Sequence, residues 1–256
     1  MIIEFIGASG SGKSTLAGEL ATRRAAGGMS LAWDLVLDRP GLRRITHPTA
    51  RNLAAEVTIS PWLLRAWPQY REFLGYARQL LGENARTTFE RLNYQRSILR
   101  KVGMHELALR RGGRHLVIAD EGTVLTSYYL FVYARSPFRT DEVDRFAALV
   151  PLPDWIVYVK APLQSLVERA TNRVDRRREL APAGQAELEH WIGRAVEVFD
   201  YLATTPPIRD RMLTVDNVDG PAADREALVD RIQAWTTGEA PGRARHPVQP
   251  PHPSVS

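Results

Sequence analysis

Gly7-Ala8-Ser9-Gly10-Ser11-Gly12-Lys13-Ser14-Thr15 follows a short apolar run, Ile2 to Ile6, and leads into a helix-forming run, Leu16 to Arg24. The stretch satisfies G-x-x-x-x-G-K-[ST] through Gly7, Gly12, Lys13 and Ser14, in the strand-before, helix-after context that this phosphate loop requires. Glycines let successive main-chain N–H groups turn around an anion, and the helix start adds the positive end of its dipole. All nine residues from Gly7 to Thr15 are therefore candidates to hold nucleotide phosphates, with Lys13 reaching the outer phosphates and the Ser14 hydroxyl reaching Mg²⁺. A dinucleotide-binding turn is excluded, because no G-x-G-x-x-G stands here.

Working outward, Ile2 to Ile6 reads as a strand buried on both faces of a parallel sheet, with Leu16 to Arg24 as its crossover helix. Ser30 to Leu37 reads as a second strand carrying Asp34, and Asp38-Arg39-Pro40-Gly41 turns the chain out of it. Open α/β sheets gather ligands outside the carboxyl ends of their strands, which makes Asp34 a candidate catalytic carboxylate; a solvated loop acid is the alternative. Leu116 to Ala119 is a third apolar strand running into Asp120-Glu121-Gly122. An acid there, beside the phosphate loop, has the form of a Walker B element: Asp120 is the candidate Mg²⁺ partner and Glu121 the candidate base. Trp155 to Val159 and Met212 to Val215 supply the fourth and fifth strands.

Between Arg51 and Arg111 apolar residues recur every three or four positions, a helical insertion that Pro68 and Gly82 are expected to interrupt. Arg86, Arg91, Arg96 and Arg100 recur along its polar side, facing either an anionic acceptor or solvent. Thr123 to Ala134 reads as a buried helix near the acceptor, with Tyr128 and Tyr129 as stacking or core residues. Helices are also expected at Asp141 to Val150, Pro162 to Ala170, Glu187 to Leu202 and Ala222 to Trp235. After the fourth strand, Arg169, Arg173, Arg176, Arg177 and Arg178 crowd into ten residues. Arg169, Arg173 and Arg177 share one helical face and are candidate catalytic groups on a phosphate-closing lid, residues 169–186. Pairing with Asp175 and Glu179 on a surface helix is the bland alternative.

Of 256 residues 44% are hydrophobic, enough for one sizeable core, and a single domain over 1–236 is expected. Residues 237–256 are proline-rich and aperiodic, and read as a disordered tail. A net charge of +5 arises from 34 basic against 29 acidic residues, a scattered excess that gives nucleic acid little support. The absence of cysteine excludes disulfides, thiolate catalysis and cysteine-held metals. No signal peptide is read before the first strand and no apolar run is long enough to span a bilayer, so a cytoplasmic protein is expected.

The loop, the strand ending in Asp120-Glu121-Gly122, and the arginine cluster after a fourth strand together resemble nucleoside and nucleotide kinases, thymidylate kinase in particular, over most of residues 1–236. The resemblance implies a three-layer α/β P-loop fold with a five-stranded parallel sheet ordered 2-3-1-4-5, a helical acceptor region over 51–111 and an arginine lid. Asp38-Arg39-Pro40-Gly41 is similar to that family's Arg-Glu-Pro-Gly turn with acid and base displaced. Asp120-Glu121-Gly122 departs from its Asp-Arg-Tyr, so the arginine that would meet an acceptor phosphate is missing. The Asp-Glu-Gly turn also resembles that of P-loop proteins encoded beside bacterial glycan-biosynthesis genes. The function expected is transfer of the γ-phosphoryl group of ATP, with Mg²⁺, to a hydroxyl or phosphate of a small molecule; a homodimer is admitted. The alternatives are an NTPase switch acting on a protein partner and, on charge alone, a nucleic-acid-binding module.

Overall fold

The structure is a computed structural model that describes residues 1–24, 29–37, 47–85, 87–111, 116–134, 136–172, 184–217 and 222–237. Its centre is β1 (Ile2–Ile6), buried at every position, with β3 (Leu116–Ala119) and β4 (Trp155–Lys160) parallel on either side. The edges are β2 (Met29–Leu31) and β5 (Met212–Asp216), giving one parallel sheet in the order β2-β3-β1-β4-β5. A central parallel strand must be apolar on both faces. In β1, Ile3 and Phe5 point into one core with Leu16, Leu20, Val229 and Ile232. These come from α1 (Lys13–Arg24) and α9 (Ala222–Thr237), which form the first helical layer.

The opposite face is covered by a long hairpin, α3 (Pro48–Asn84) and α4 (Thr88–Arg111), with α2 (Ala32–Leu37), α5 (Thr140–Leu149), α6 (Leu163–Thr171), α7 (Gln185–Leu202) and the short α8 (Pro206–Arg209). Two cores lie under this layer. One, around Phe73, Phe131, Phe146 and Phe199, sits beneath β1 and β4; the other joins Ile2, Val117 and Ala119 to Val36, Ile59 and Leu107. Between the acid turn and α5 the chain winds through a tight 3₁₀ turn (Val124–Thr126) and a π-helical segment (Tyr128–Val132).

Two expectations are corrected here. The second strand does not run over Ser30 to Leu37: pairing with β3 ends at Leu31↔Ile118, and Ala32 to Leu37 is helix α2. Ala32 and Val36, one helical turn apart, are the buried pair of this run, and Asp34 faces solvent. Nor is the hairpin broken at Pro68, for α3 continues over 37 residues through both Pro61 and Pro68. A proline costs a helix one hydrogen bond. Tertiary burial of Ala66, Tyr70, Phe73, Leu74 and Ala77 on the same helix outweighs that loss. The tail and most of the arginine lid lie outside the described residues.

Candidate functional site

The loop after β1 takes positive φ at Gly7 (146°), Gly10 (86°) and Gly12 (85°), a path closed to residues with a side chain. It is also walled in. A Cβ on Gly7 would stand 2.5 Å from the Val159 carbonyl, and one on Gly10 2.5 Å from the Leu166 carbonyl. A bracket of side chains fixes it from behind. Asn217, just past β5, donates its Nδ2–H to the Ser11 carbonyl (2.7 Å) and its main-chain N–H to the Lys160 carbonyl (2.7 Å). Arg169 on α6 donates to the carbonyls of Gly10 (3.2 Å) and Asn217 (3.4 Å). With carbonyls turned to the bracket, the loop and the start of α1 at Lys13 are left to meet an anion. Lys13 is half-buried, and Ser14 and Thr15 are exposed at the helix start.

The acid turn lies at the end of β3, the strand next to β1. Asp120 Oδ1 is buried without a hydrogen-bond partner, a condition that a bound ion or an ordered water would relieve. Mg²⁺ in phosphate sites takes one or two protein oxygens and completes its shell with phosphate and water. Asp120 and the Ser14 hydroxyl are donors of that kind. Glu121 is held from α4: Lys101 Nζ donates to its carboxylate Oε2 (3.1 Å) and to its carbonyl (3.1 Å). The Lys101 side chain is 3% exposed, that of Glu121 33%.

Beneath the turn lies a buried acid that the sequence reading passed over. Glu4, inside β1, accepts from the N–H groups of Leu125 (2.8 Å) and Val124 (3.2 Å), capping the 3₁₀ turn. Burial raises its carboxyl from 4.5 to about 7, opposed by those N–H bonds and by the Lys101 charge. Gly122 is required here, since a Cβ would collide with the Glu4 carboxyl. Glu4, Lys101, His105, Glu121 and Gly122 line a small cavity of about 10 Å³, the space of one water-sized group. Burial lowers the His105 imidazole from 6.5 to about 4, so it is neutral at pH 7.

Tyr128, from the π-helical segment, reaches the loop: its hydroxyl accepts the N–H of Ser9 (2.8 Å). Its ring packs on Phe199 (5.5 Å) and Tyr133 (5.6 Å), while Tyr129 stacks on Tyr94 (5.0 Å). Periodicity reveals that this run is buried; that one tyrosine touches the phosphate loop 119 residues away in sequence is a tertiary fact.

The structure thus gathers Gly7 to Thr15, Asp120, Glu121 and Arg169 around one end of the sheet. Asp34 is exposed on α2. Arg169 faces loop carbonyls, the role of a bracket. Arg173 and Arg177 lie outside the described residues, as does Arg86. Arg91 is exposed, Arg96 makes a two-pronged pair with Glu56 (2.7 to 2.9 Å), and Arg100 lies 5.9 Å over the Trp33 ring. The described members of the row, Arg91, Arg96 and Arg100, therefore do not converge on one pocket.

A parallel sheet with a phosphate loop after its central strand and an acid turn after the neighbouring one defines a P-loop protein of kinase-like fold. Residues 2–197 match the AAA domain family, and the chain belongs to it. This upholds the resemblance to P-loop nucleoside and nucleotide kinases. Among solved structures, deoxyadenosine kinase from M. mycoides with products dCMP and a flexible dCDP bound is similar at 16% identity and a TM-score of 0.50, covering 94% of this chain and 100% of that one. Shikimate kinase from Acinetobacter baumannii in complex with shikimate aligns at 15% identity and a TM-score of 0.42, covering 93% of each chain. At 16% identity the likeness to the deoxyadenosine kinase is one of fold. No curated protein matches the sequence. Among the described residues no helix is long and apolar enough to cross a membrane.

Proposed function

We propose that this protein is an ATP- and Mg²⁺-dependent phosphotransferase that moves the γ-phosphoryl group to a hydroxyl or phosphate of a small molecule: a nucleoside, nucleotide, sugar or natural product. The observation that carries this reading is the pairing of a pre-shaped phosphate loop with the orphaned, buried Asp120 Oδ1 on the adjacent strand. When bound, ATP supplies the transferable group and Mg²⁺ neutralises charge on its outer phosphates. The chain's own part is positioning and electrostatics, as phosphoryl transfer demands. The loop amides and Lys13 hold the phosphates. Ser14 and Asp120 hold the metal or its waters. Glu121, fixed by Lys101, is the carboxylate that orients or deprotonates the acceptor hydroxyl. Asp34 has no part in this assignment, and Arg169 acts by holding the loop in shape.

The test is ADP release from Mg-ATP measured with panels of nucleosides, nucleotides and sugars, with phosphate position read by mass spectrometry. Slow release alone and release raised by orders of magnitude with one acceptor class, the phosphate appearing on that compound, is the expected result. Fast hydrolysis that no small molecule alters, but that a protein partner stimulates, overturns it in favour of a switch.

A further inference from the structure

The hydroxyl of Tyr128 sits on a main-chain N–H of the phosphate loop, and loop N–H groups are the ones that bind phosphate. Its approach is engineered by three separate contacts. Glu4 anchors the start of the segment through Leu125 and Val124, a π-helical turn follows Ser127, and Phe199 with Tyr133 backs the ring. Single π-helical turns are frequent at functional sites. The side of the loop on which the hydroxyl lands is also defined. The segment that carries Tyr128 begins at the acid turn, where Asp120 would hold a metal that neutralises charge on the outer phosphates. A group arriving from this segment therefore comes to the loop from the side of the acid turn. A phenol hydroxyl can accept and donate at once, so it suits both a loop N–H and a phosphoryl oxygen.

We propose that Tyr128 is a catalytic residue that reads the terminal phosphate: its hydroxyl rests on the Ser9 N–H in the nucleotide-free loop and hydrogen-bonds a γ-phosphoryl oxygen of bound triphosphate. The loop then distinguishes a triphosphate from a diphosphate, and the same bond helps to hold the phosphoryl group in transit. This rests on the nucleotide-binding reading above.

The experiment compares wild type, Tyr128→Phe and Tyr201→Phe, the last a half-buried phenol whose hydroxyl is bonded to Asp144. Calorimetry with Mg-ADP and with Mg-β,γ-imido-ATP gives the ratio of the two affinities, and single-turnover assays give the rate of ATP hydrolysis. A hydrogen bond to a charged group corresponds to a factor of roughly ten to a hundred. Tyr128→Phe should cut the affinity for the imido triphosphate by at least about tenfold. Its ADP affinity should stay within about twofold and its melting temperature close to wild type, while Tyr201→Phe changes neither. Hydrolysis should slow in parallel. An unchanged triphosphate-to-diphosphate ratio overturns the proposal and leaves the nucleotide reading intact. Equal loss for both nucleotides, or a large fall in melting temperature, assigns the hydroxyl to loop capping alone and also overturns it. Wild-type protein that binds neither nucleotide overturns the function proposed for the loop, and this inference with it.

Discussion

Replacing Glu4 by Gln should change stability in opposite directions at low and high pH. The Glu4 carboxyl is fully buried and its pKa rises from 4.5 to about 7. Because the folded value exceeds the unfolded one, the folded chain binds the proton more tightly. The stability it contributes is fully present below about pH 4.5 and is lost as pH rises through about 7. A rise of that size corresponds to on the order of 3 kcal/mol between the two limits. Gln is neutral throughout, so it escapes the loss. It keeps one carbonyl oxygen for Leu125 N–H, but its amide N–H₂ confronts the N–H of Val124, which costs about 1 to 2 kcal/mol. The variant should therefore be less stable than wild type at pH 5 and as stable or more stable at pH 8. His105, with a lowered pKa, contributes stability above about 6.5 that is lost as pH falls through about 4, but it is common to both proteins and cancels. Urea unfolding followed by tryptophan fluorescence at the two pH values gives the comparison. The same stability difference at pH 5 and pH 8 would refute the buried, proton-binding state of Glu4.

Three further outcomes are expected. Lys13→Ala should raise the barrier to phosphoryl transfer by about 2 to 4 kcal/mol, the size of one preorganised charge partner, with turnover and calorimetry as the readouts. Gly10→Ala must place a Cβ against the Leu166 carbonyl at a φ of 86°, costing on the order of 1 to 3 kcal/mol, and should displace the loop so that nucleotide affinity falls with stability. Lys101→Met leaves Glu121 without the cation that fixes it. Since that carboxylate is one-third exposed, the penalty is moderated by solvent to about 1 to 2 kcal/mol, and adding Glu121→Gln should recover most of it in thermal melts.

The sequence by itself determined the phosphate loop, the apolar central strands and the acid turn, because each rests on local rules. Glycine is demanded by backbone conformation, both-face burial demands unbroken apolar runs, and an acid at a strand end is read from its neighbours in the chain. Helices with strong periodicity, such as Thr140–Leu149 and Gln185–Leu202, were legible for the same reason. Where local and tertiary preferences competed, only the fold decided. Ser30 to Leu37 is a short apolar run whose periodicity does not separate strand from buried helix; pairing with the four-residue β3 ends at Leu31, and Ala32 and Val36 are buried one helical turn apart. Glu4 is invisible as a functional group within an apolar run, since its meaning depends on N–H groups 120 and 121 residues away. Arg169 reads as a lid residue from charge density, but the packing of α6 against the loop turns it towards the carbonyls of Gly10 and Asn217. Tyr128 belongs with these: hydrophobicity fixes that the ring is buried, and only the three-dimensional path of the chain decides that its hydroxyl ends at Ser9. Local chemistry can be written in a short stretch, whereas a hydrogen bond between distant segments exists only once the core has set their separation.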